Sequence, residues 1–425
     1  IGLQKRLMVK KFYLVFILSS LAVILQAQTY SLKDLEAQFL KNNLQLIANK
    51  FHIDKAEALI VQEKLWANPN LTVDNLNLWA NSSFETMPNM IGNFGSKQQI
   101  NMGLEQLIET AGKRKKRVAI KTLEKTSAQL EFEEILRQLK LDLRTNFYSL
   151  QRIQLEEQQL HSILELFSKL NEQYKVQAEK QHVSQVSYLR VHTELVGIQK
   201  ELLDLKSQKN EILQQLKTLT QLPDLNAGQL SFDQFQVEEK PLLSSDLKDQ
   251  AKSQNIYLRS MANEIHLSEG QLSLEKAQKT PNLNLLMNYE RGGNVMSNFI
   301  GIGVNIDLPI FNRNKGNIQA AKIQVEQGQA QLNAGQLEIG NEIDKLLNKL
   351  ALYRENLTNW KDNNTEAQQQ VLENYIKYLK DQQVTLIEFI DFSQAFREAQ
   401  QAYLELQESY LITFEQLQYV VGQEL

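Results

Sequence analysis

The chain has 425 residues, a formal net charge of −4 and no cysteine. That length holds a large core or several domains, and the charge gives no bulk attraction to nucleic acid. The lack of cysteine excludes disulfides, thiol catalysis, cysteine-based zinc sites and an N-terminal lipoprotein anchor.

Residues 1–27 read as a signal peptide. Lys10 and Lys11 form a positive flank, Phe12–Leu25 is an apolar stretch short for a membrane helix, and cleavage follows Ala27. The alternative, an anchor helix, lacks a stop-transfer flank. No later segment has about 18 consecutive apolar residues, so any further membrane crossing must use strands.

Residues 28–220 form a first unit. Ser31 and Asp34 make a capping box for a helix running to about Leu65, broken by Asn68-Pro69. Strands are predicted over 70–81 and 97–108; in the second, Ile100, Met102 and Leu104 alternate with Gln99, Asn101, Gly103 and Glu105. A long helix from about Gly112 to about Tyr174 carries an apolar stripe including Leu143, Phe147, Leu150, Ile153 and Phe167. At 1.5 Å per residue it would be roughly 90 Å long. A break over Lys175–Ser187 precedes a return helix to about Thr220. Residues 221–244, with Pro223 and Pro241, form an irregular segment.

The plan recurs over 245–425: helix to about Lys279, strand 281–289, an Arg291–Asn294 turn, strand 298–308 ended by Pro309, a helix to about Lys377, a break over Lys380–Thr385, and a return helix ending near Gly422. Asn43, Pro69, Asn70 and Leu71 precede Asn255, Pro281, Asn282 and Leu283 by 212 positions. Glu172, Tyr174, Val183 and Ser184 precede Glu373, Tyr375, Val384 and Thr385 by 201. The chain is therefore read as a tandem repeat whose first interstrand loop is the longer.

Four strands of about ten residues suit an outer-membrane barrel but cannot close one, because eight is the usual minimum. An open edge in hydrocarbon leaves backbone groups unpaired. The strands must close with those of other copies, eight in a dimer or twelve in a trimer. Trp66 and Phe311 fall at the helix-joining strand ends, and Trp79, Tyr289 and Phe299 at the loop ends, as interfacial girdles would. A soluble sandwich is the alternative, and the helices are too long to cover one. Such helices need partners in an aqueous compartment, so neighbouring copies are expected to pack them as a coiled-coil cylinder.

Leu40-Lys41-Asn42-Asn43-Leu44, Gln106–Arg114 (QLIETAGKR) and Leu308–Gly316 (LPIFNRNKG), with their order and spacing, resemble motifs of the TolC-type outer-membrane efflux protein family. The last is most like members that work with heavy-metal exporters. Leu44 stands where the family usually has proline. The resemblance covers about Tyr30 to Gly422 and implies a mainly α fold with membrane β: a homotrimer with a 12-stranded outer-membrane β-barrel continued by a 12-helix periplasmic α-barrel. It implies an exit duct without cofactor or catalytic site. Its partners would be a periplasmic adaptor (membrane fusion) protein, an inner-membrane transporter of the RND type or another, and outer-membrane lipid.

By the same resemblance, His182-Val183-Ser184 and Gln383-Val384-Thr385 are the tip that contacts the adaptor; Ser184 and Thr385 also suit helix caps. Asp381, Asp391 and Arg190 lie at or just past that tip and are candidate gate residues, each recurring three times in a trimer; solvated surface charge is the plainer alternative. Pro309, Phe311, Asn312, Arg313, Gly316 and Gly112 mark the barrel–helix joints. Lys113–Arg117 (KRKKR) reads as a headgroup-facing patch or a solvated face. None of the five histidines has a metal-ligand spacing, and no nucleic-acid or enzyme motif is present. The exported compound would be a metal ion or small toxic solute. The alternatives are type I protein secretion, or an adhesive trimeric coiled coil.

Overall fold

A computed structural model describes residues 29–74, 79, 86–92, 94–232, 246–292, 298–361 and 365–425. The signal-peptide reading, the second half of the 221–244 segment and the far end of the predicted 70–81 strand lie outside these residues.

Helix α1 (Leu32–Asn42) begins with the expected box: Ser31 Oγ accepts the Asp34 N–H, and the Asp34 carboxylate accepts the Ser31 N–H at 2.9 Å. The expected continuous helix to Leu65 is broken at Asn43, which turns extended and lets its Oδ1 accept the Leu46 N–H at 3.0 Å. Helix α2 (Leu44–Glu63) starts from that cap. The same event divides the helix expected up to Lys279 into α5 (Leu247–Gln254) and α6 (Ile256–Ala277), where Asn255 Oδ1 accepts the Leu258 N–H at 2.9 Å. A short amide side chain competes with the helical ladder for backbone donors, so it starts a helix more readily than it continues one.

Strand β1 is Asn70–Asp74 and β2 is Ile100–Ile108. Helix α3 runs Lys113–Glu179, past its predicted end, and α4 is Gln185–Thr220. The break between them narrows to 180–184, because the helical ladder continues until a left-handed residue stops it. Strands β3 (Leu283–Arg291) and β4 (Asn298–Ile306) follow, each shifted or shortened by about two residues against expectation. The helix predicted to Lys377 is observed as α7 (Lys315–Lys361) and α8 (Thr365–Lys380), and α9 is Leu386–Val421.

The chain divides into two compact units, each drawn from both halves of the sequence. One comprises 1–47, 135–251 and 339–425; the other 48–134 and 252–338. In the first, the apolar stripe of α3 packs on the return helices: Ile153, Ile163 and Phe167 with Val191, Ile198 and Phe389. A second cluster joins Leu247, Ile343, Leu346 and Leu350 to Tyr410 and Leu417. Each such side chain contributes about 1.5–3 kcal/mol on burial.

The same unit holds a half-buried ionic cluster around the buried Glu415. Arg144 on α3 donates to Glu36 of α1 (2.6 Å), Glu415 of α9 (2.6 Å) and Glu424 (3.1 Å). Tyr148 donates to Glu415 at 3.1 Å. Burial, followed by the charge of Glu415, pushes the Tyr148 phenol up. Removing one partner of a buried set strands the others. Arg144→Ala is therefore expected to lower stability by about 3–5 kcal/mol, whereas Glu424→Ala, which removes the most exposed partner, costs under about 1 kcal/mol. Thermal unfolding followed by circular dichroism checks the order.

The second unit carries one antiparallel sheet in the order β1-β2-β3-β4. Its register aligns Val73, Met102, Tyr289 and Ile300 in one row and Leu71, Leu104, Met287 and Ile302 in the next. Leu285 and Val304, then Ile108, Leu283 and Ile306, continue the face. The opposite face carries Thr72, Gly103, Asn288 and Gly301, with Asn101, Asn284 and Asn305.

Candidate functional site

Among the described residues much of the apolar face of the sheet is uncovered: Ile302 is 85% exposed, and Leu71, Met287, Ile300 and Val304 are exposed as well. Nine-residue strands span about 30 Å. A barrel tilt of about 40° reduces that to about 23 Å, close to the apolar band of an outer-membrane barrel at about 25 Å. β1 and β4 are the sheet edges. Among the described residues no helix is long and apolar enough to cross a membrane, and no acidic, histidine or cysteine cluster could hold a metal.

Parity corrects one aromatic. Phe299 pairs with Glu290 and lies on the polar face, its ring beside Gly301, so it is not part of an apolar girdle. Tyr289 is on the apolar face, and its hydroxyl donates to Asn298 at 3.0 Å. At the same end Arg291 is buried and donates to the carbonyls of Gly95 (3.0 Å) and Pro88, tying down the first interstrand loop.

At the second joint the ladder ends at Ile306, three residues before Pro309, because the partner strand is spent. Beyond Leu283, the Pro281 carbonyl accepts from Thr110 Oγ1, and the Asn282 side chain accepts from Lys113 Nζ at 2.6 Å. Pro309, Asn312, Arg313 and Gly316 lie in or beside the following turn, and Phe311 is 99% exposed. The residue that shapes the turn is Asn314, which was not singled out from the sequence. It is left-handed (φ 56°), and its Nδ2 donates to the Glu275 carbonyl (2.9 Å) and carboxylate (2.6 Å). Its own carbonyl then accepts the Ile318 N–H and opens α7. The one legible signal was an asparagine just before a helix, a residue type that tolerates this conformation. At the first joint Ala111 (φ 52°) and Gly112 (φ 67°) supply the left-handed bend.

The KRKKR cluster is not a solvated face. Lys113 is 3% exposed and donates to the Thr280 carbonyl at 2.6 Å. Arg114 stacks over Trp66 at 3.8 Å, and Lys116 donates to Ser273. Arg117 forms two bonds to Glu109 (2.7 and 2.8 Å) and pairs with Glu63. Only Lys115 is exposed. Cations are unfavourable at a helix N-terminus, and here partners on α2, α6 and the end of β2 offset that. The Arg117 bond holds the Glu109 carboxyl below its ordinary value, while burial pulls the Lys113 ammonium down.

In the other unit, the turns that end α3 and α8 are built alike. His182 N–H donates to the Gln177 carbonyl at 2.9 Å, and Gln383 N–H to that of Tyr378 at 2.8 Å. The left-handed residues are Gln181 (φ 59°) and Gln382 (φ 55°), in helix-closing motifs usually served by glycine. Ser184 and Thr385 cap the return helices: Ser184 Oγ accepts the Ser187 N–H at 3.0 Å, and Thr385 forms a full box with Glu388. His182 and Gln383 are exposed, and Val183 and Val384 half-buried. Exposed Val186, Leu189 and Ile387 extend apolar surface beside the turns, which the sequence reading missed. Asp381, Asp391 and Arg190 are exposed, and no ion pair joins any two of them within the chain.

The depressed Glu109 value sets a pH response at the first joint. Its stabilising bond is fully present above the ordinary carboxylate value of 4.5 and is lost as pH falls through the lower folded-state value. Amide protection factors over 109–117, measured by hydrogen exchange, should therefore hold at neutral pH and drop on acidification below 4.5. In Glu109→Gln they should already be reduced at neutral pH and respond less to acid.

Residues 247–423 match the model of the outer membrane efflux protein family. No curated protein matches the chain by sequence. Among solved structures, the fold is similar to the Campylobacter jejuni CmeC outer membrane channel (TM-score 0.74, 18% identity, 92% of this chain and 85% of that one). It is also similar to CusC, described for folding and transmembrane channel formation (0.70, 15%, 92% and 92%). A third is the open state of the Neisseria gonorrhoeae MtrE outer membrane channel (0.69, 13%, 92% and 89%). Through residues 247–423 the chain is matched to the outer membrane efflux protein family, a family of outer-membrane channels rather than enzymes, and its fold resembles that of the TolC-type channels.

Proposed function

We propose that this chain is the exit duct of a tripartite efflux pump, passing substrate outward from an inner-membrane transporter and a periplasmic adaptor. The single observation that carries this is the sheet. Four strands in register present one mainly apolar, largely uncovered face and one mainly polar face, and the edges β1 and β4 lack further partner strands among the described residues. In hydrocarbon those edges must pair with other copies. Three copies give twelve strands, the number the TolC-type resemblance implies, with the helices packing as a periplasmic tunnel. The repeat of residues 28–220 in 245–425 supplies two strands from each half, which an adhesive coiled coil does not require. The Pro309–Gly316 motif favours metal ions or small toxic solutes over secreted proteins.

Two observations support the tip and gate roles. The turns at 180–184 and 381–385 share one construction and carry exposed apolar neighbours suited to an adaptor. Asp381, Asp391 and Arg190 have no ion-pair partner among themselves within the chain, which leaves them available across copies.

Light scattering of the complex extracted from outer membranes, with detergent subtracted, should return three copies; a monomer would overturn the shared barrel. Ile302→Lys, on the apolar face, should cost about 2–4 kcal/mol and deplete the protein from the outer membrane. Asn305→Lys, on the polar face, should leave assembly intact; both are read by fractionation and immunoblot.

Asp381→Ala or Asp391→Ala should raise single-channel conductance in planar bilayers or sensitise cells to antibiotics. Unchanged conductance and susceptibility in both would remove the gate assignment.

A further inference from the structure

The connection between β1 and β2 is polar within and apolar without. At the loop end of the sheet, the last row on the apolar face is Ile100, Arg291 and Asn298. Here that face is covered: Ile100 is 1% exposed and Arg291 7%. The cover is the segment 86–98. Arg291 Nε donates to the Gly95 carbonyl at 3.0 Å and Nη2 to the Pro88 carbonyl. The buried Gln98 side chain accepts the N–H groups of Gly95 (2.8 Å) and Lys97 (3.2 Å). Met87 N–H donates to the Ser96 carbonyl at 2.9 Å and Met90 N–H to that of Phe94 at 2.8 Å, while Pro88 has no N–H to satisfy. The outside of the connection carries large apolar side chains: Ile91 is 80% exposed, Trp79 82%, and Met90 is exposed as well.

A surface loop in water needs neither feature. Water satisfies its backbone groups, and its large apolar side chains gain by turning inward. Beside lipid both rules reverse. Backbone groups must find partners within the protein, and apolar side chains are stable facing outward. The segment also sits on the side of the sheet that carries the uncovered Ile302 and Val304. Its irregular backbone excludes the middle of the hydrocarbon. Its place at the loop end, away from the strand–helix joints, matches the outer boundary of the bilayer, where tryptophan partitions.

We propose that this connection is a strap folded outward from the sheet and seated in the outer-leaflet boundary of the membrane. Lipid packs against Ile91, Met90 and Trp79, and the Arg291 and Gln98 side chains hold the strap on the lipid side, clear of the channel mouth. This deepens the duct reading and rests on its assignment of the apolar face to lipid.

The chain has no cysteine, so one introduced thiol can carry a nitroxide. The test is power-saturation electron paramagnetic resonance of the full chain, assembled in nanodiscs of phosphatidylethanolamine and phosphatidylglycerol. Ile91→Cys is compared with Ile302→Cys on the sheet. Both labels should collide more with oxygen, which concentrates in lipid, than with a nickel chelate, which stays in water, and Ile302→Cys by the larger ratio. Adding Arg291→Ala to Ile91→Cys should release the strap and raise nickel collisions severalfold; Gln98→Ala takes its place if that variant fails to assemble. An unchanged signal in the assembled variant overturns the tether. Nickel access at Ile91 with Ile302 shielded overturns the strap and leaves the duct reading standing. Nickel access at both positions overturns the lipid-facing sheet as well. Shielding of Ile91 from oxygen and nickel alike marks a protein contact and overturns the contact with lipid.

Discussion

The constraint on which the rest depends is the pairing of backbone groups in the sheet. A strand in hydrocarbon has no water to satisfy its N–H and C=O groups, so a sheet there must close on itself. Among the described residues the chain supplies four strands whose registers bring most apolar side chains onto one face, with β1 and β4 at the edges. With an exposed apolar face and two edges, the isolated sheet is an incomplete object. The proposed self-association draws on the chemistry of the edge rather than on any specific side-chain contact. The other face, rich in asparagine and glycine with Thr72, Glu105 and Glu290, suits water on that side.

The joints show how a strand is turned into a long helix without a soft hinge. In each half a left-handed bend is followed at once by the helix, and side chains of the joint itself bond to neighbouring segments and brace the bend. In the second half Asn314 both adopts the bend and bonds to Glu275. In the first, Ala111 and Gly112 adopt it, and the braces come from Lys113, Arg114 and Arg117. Two different chemistries thus serve equivalent positions of the repeat. A dense cationic cluster is tolerable at a helix start because Glu63, Glu109, Trp66 and the Thr280 carbonyl surround it.

In the helical unit, apolar packing runs along the stripes and charge is held between them. Arg144 gathers three carboxylates from α1, α9 and the segment after α9. Arg152 bridges Glu156 and Glu408, and Arg397 bridges Glu194 and Glu201. Long helices whose apolar stripes repeat every three or four residues can slide by a turn with little loss of hydrophobic contact. A buried guanidinium bonded to named carboxylates on other helices makes such a slip costly, because the shifted charge would be buried unpaired.

Much was legible in the sequence because it was periodic or local. Period-two alternation marked the strands, and the 3.6-residue stripe marked the helices. Ser184 and Thr385 announced their caps because capping is decided within four residues. Asn43 and Asn255, matched in the repeat, already carried the helix breaks, although their apolar surroundings made the helices read as continuous. Tertiary structure alone decided the rest: strand ends, set by where a partner strand runs out; the inward turn of KRKKR, set by carboxylates far away in sequence; the face of Phe299, set by exact parity within β4; and the burial of Arg291, set by the carbonyls of Gly95 and Pro88. In each case the deciding group lies on another segment, and sequence periodicity records what one segment prefers, not what the fold places against it.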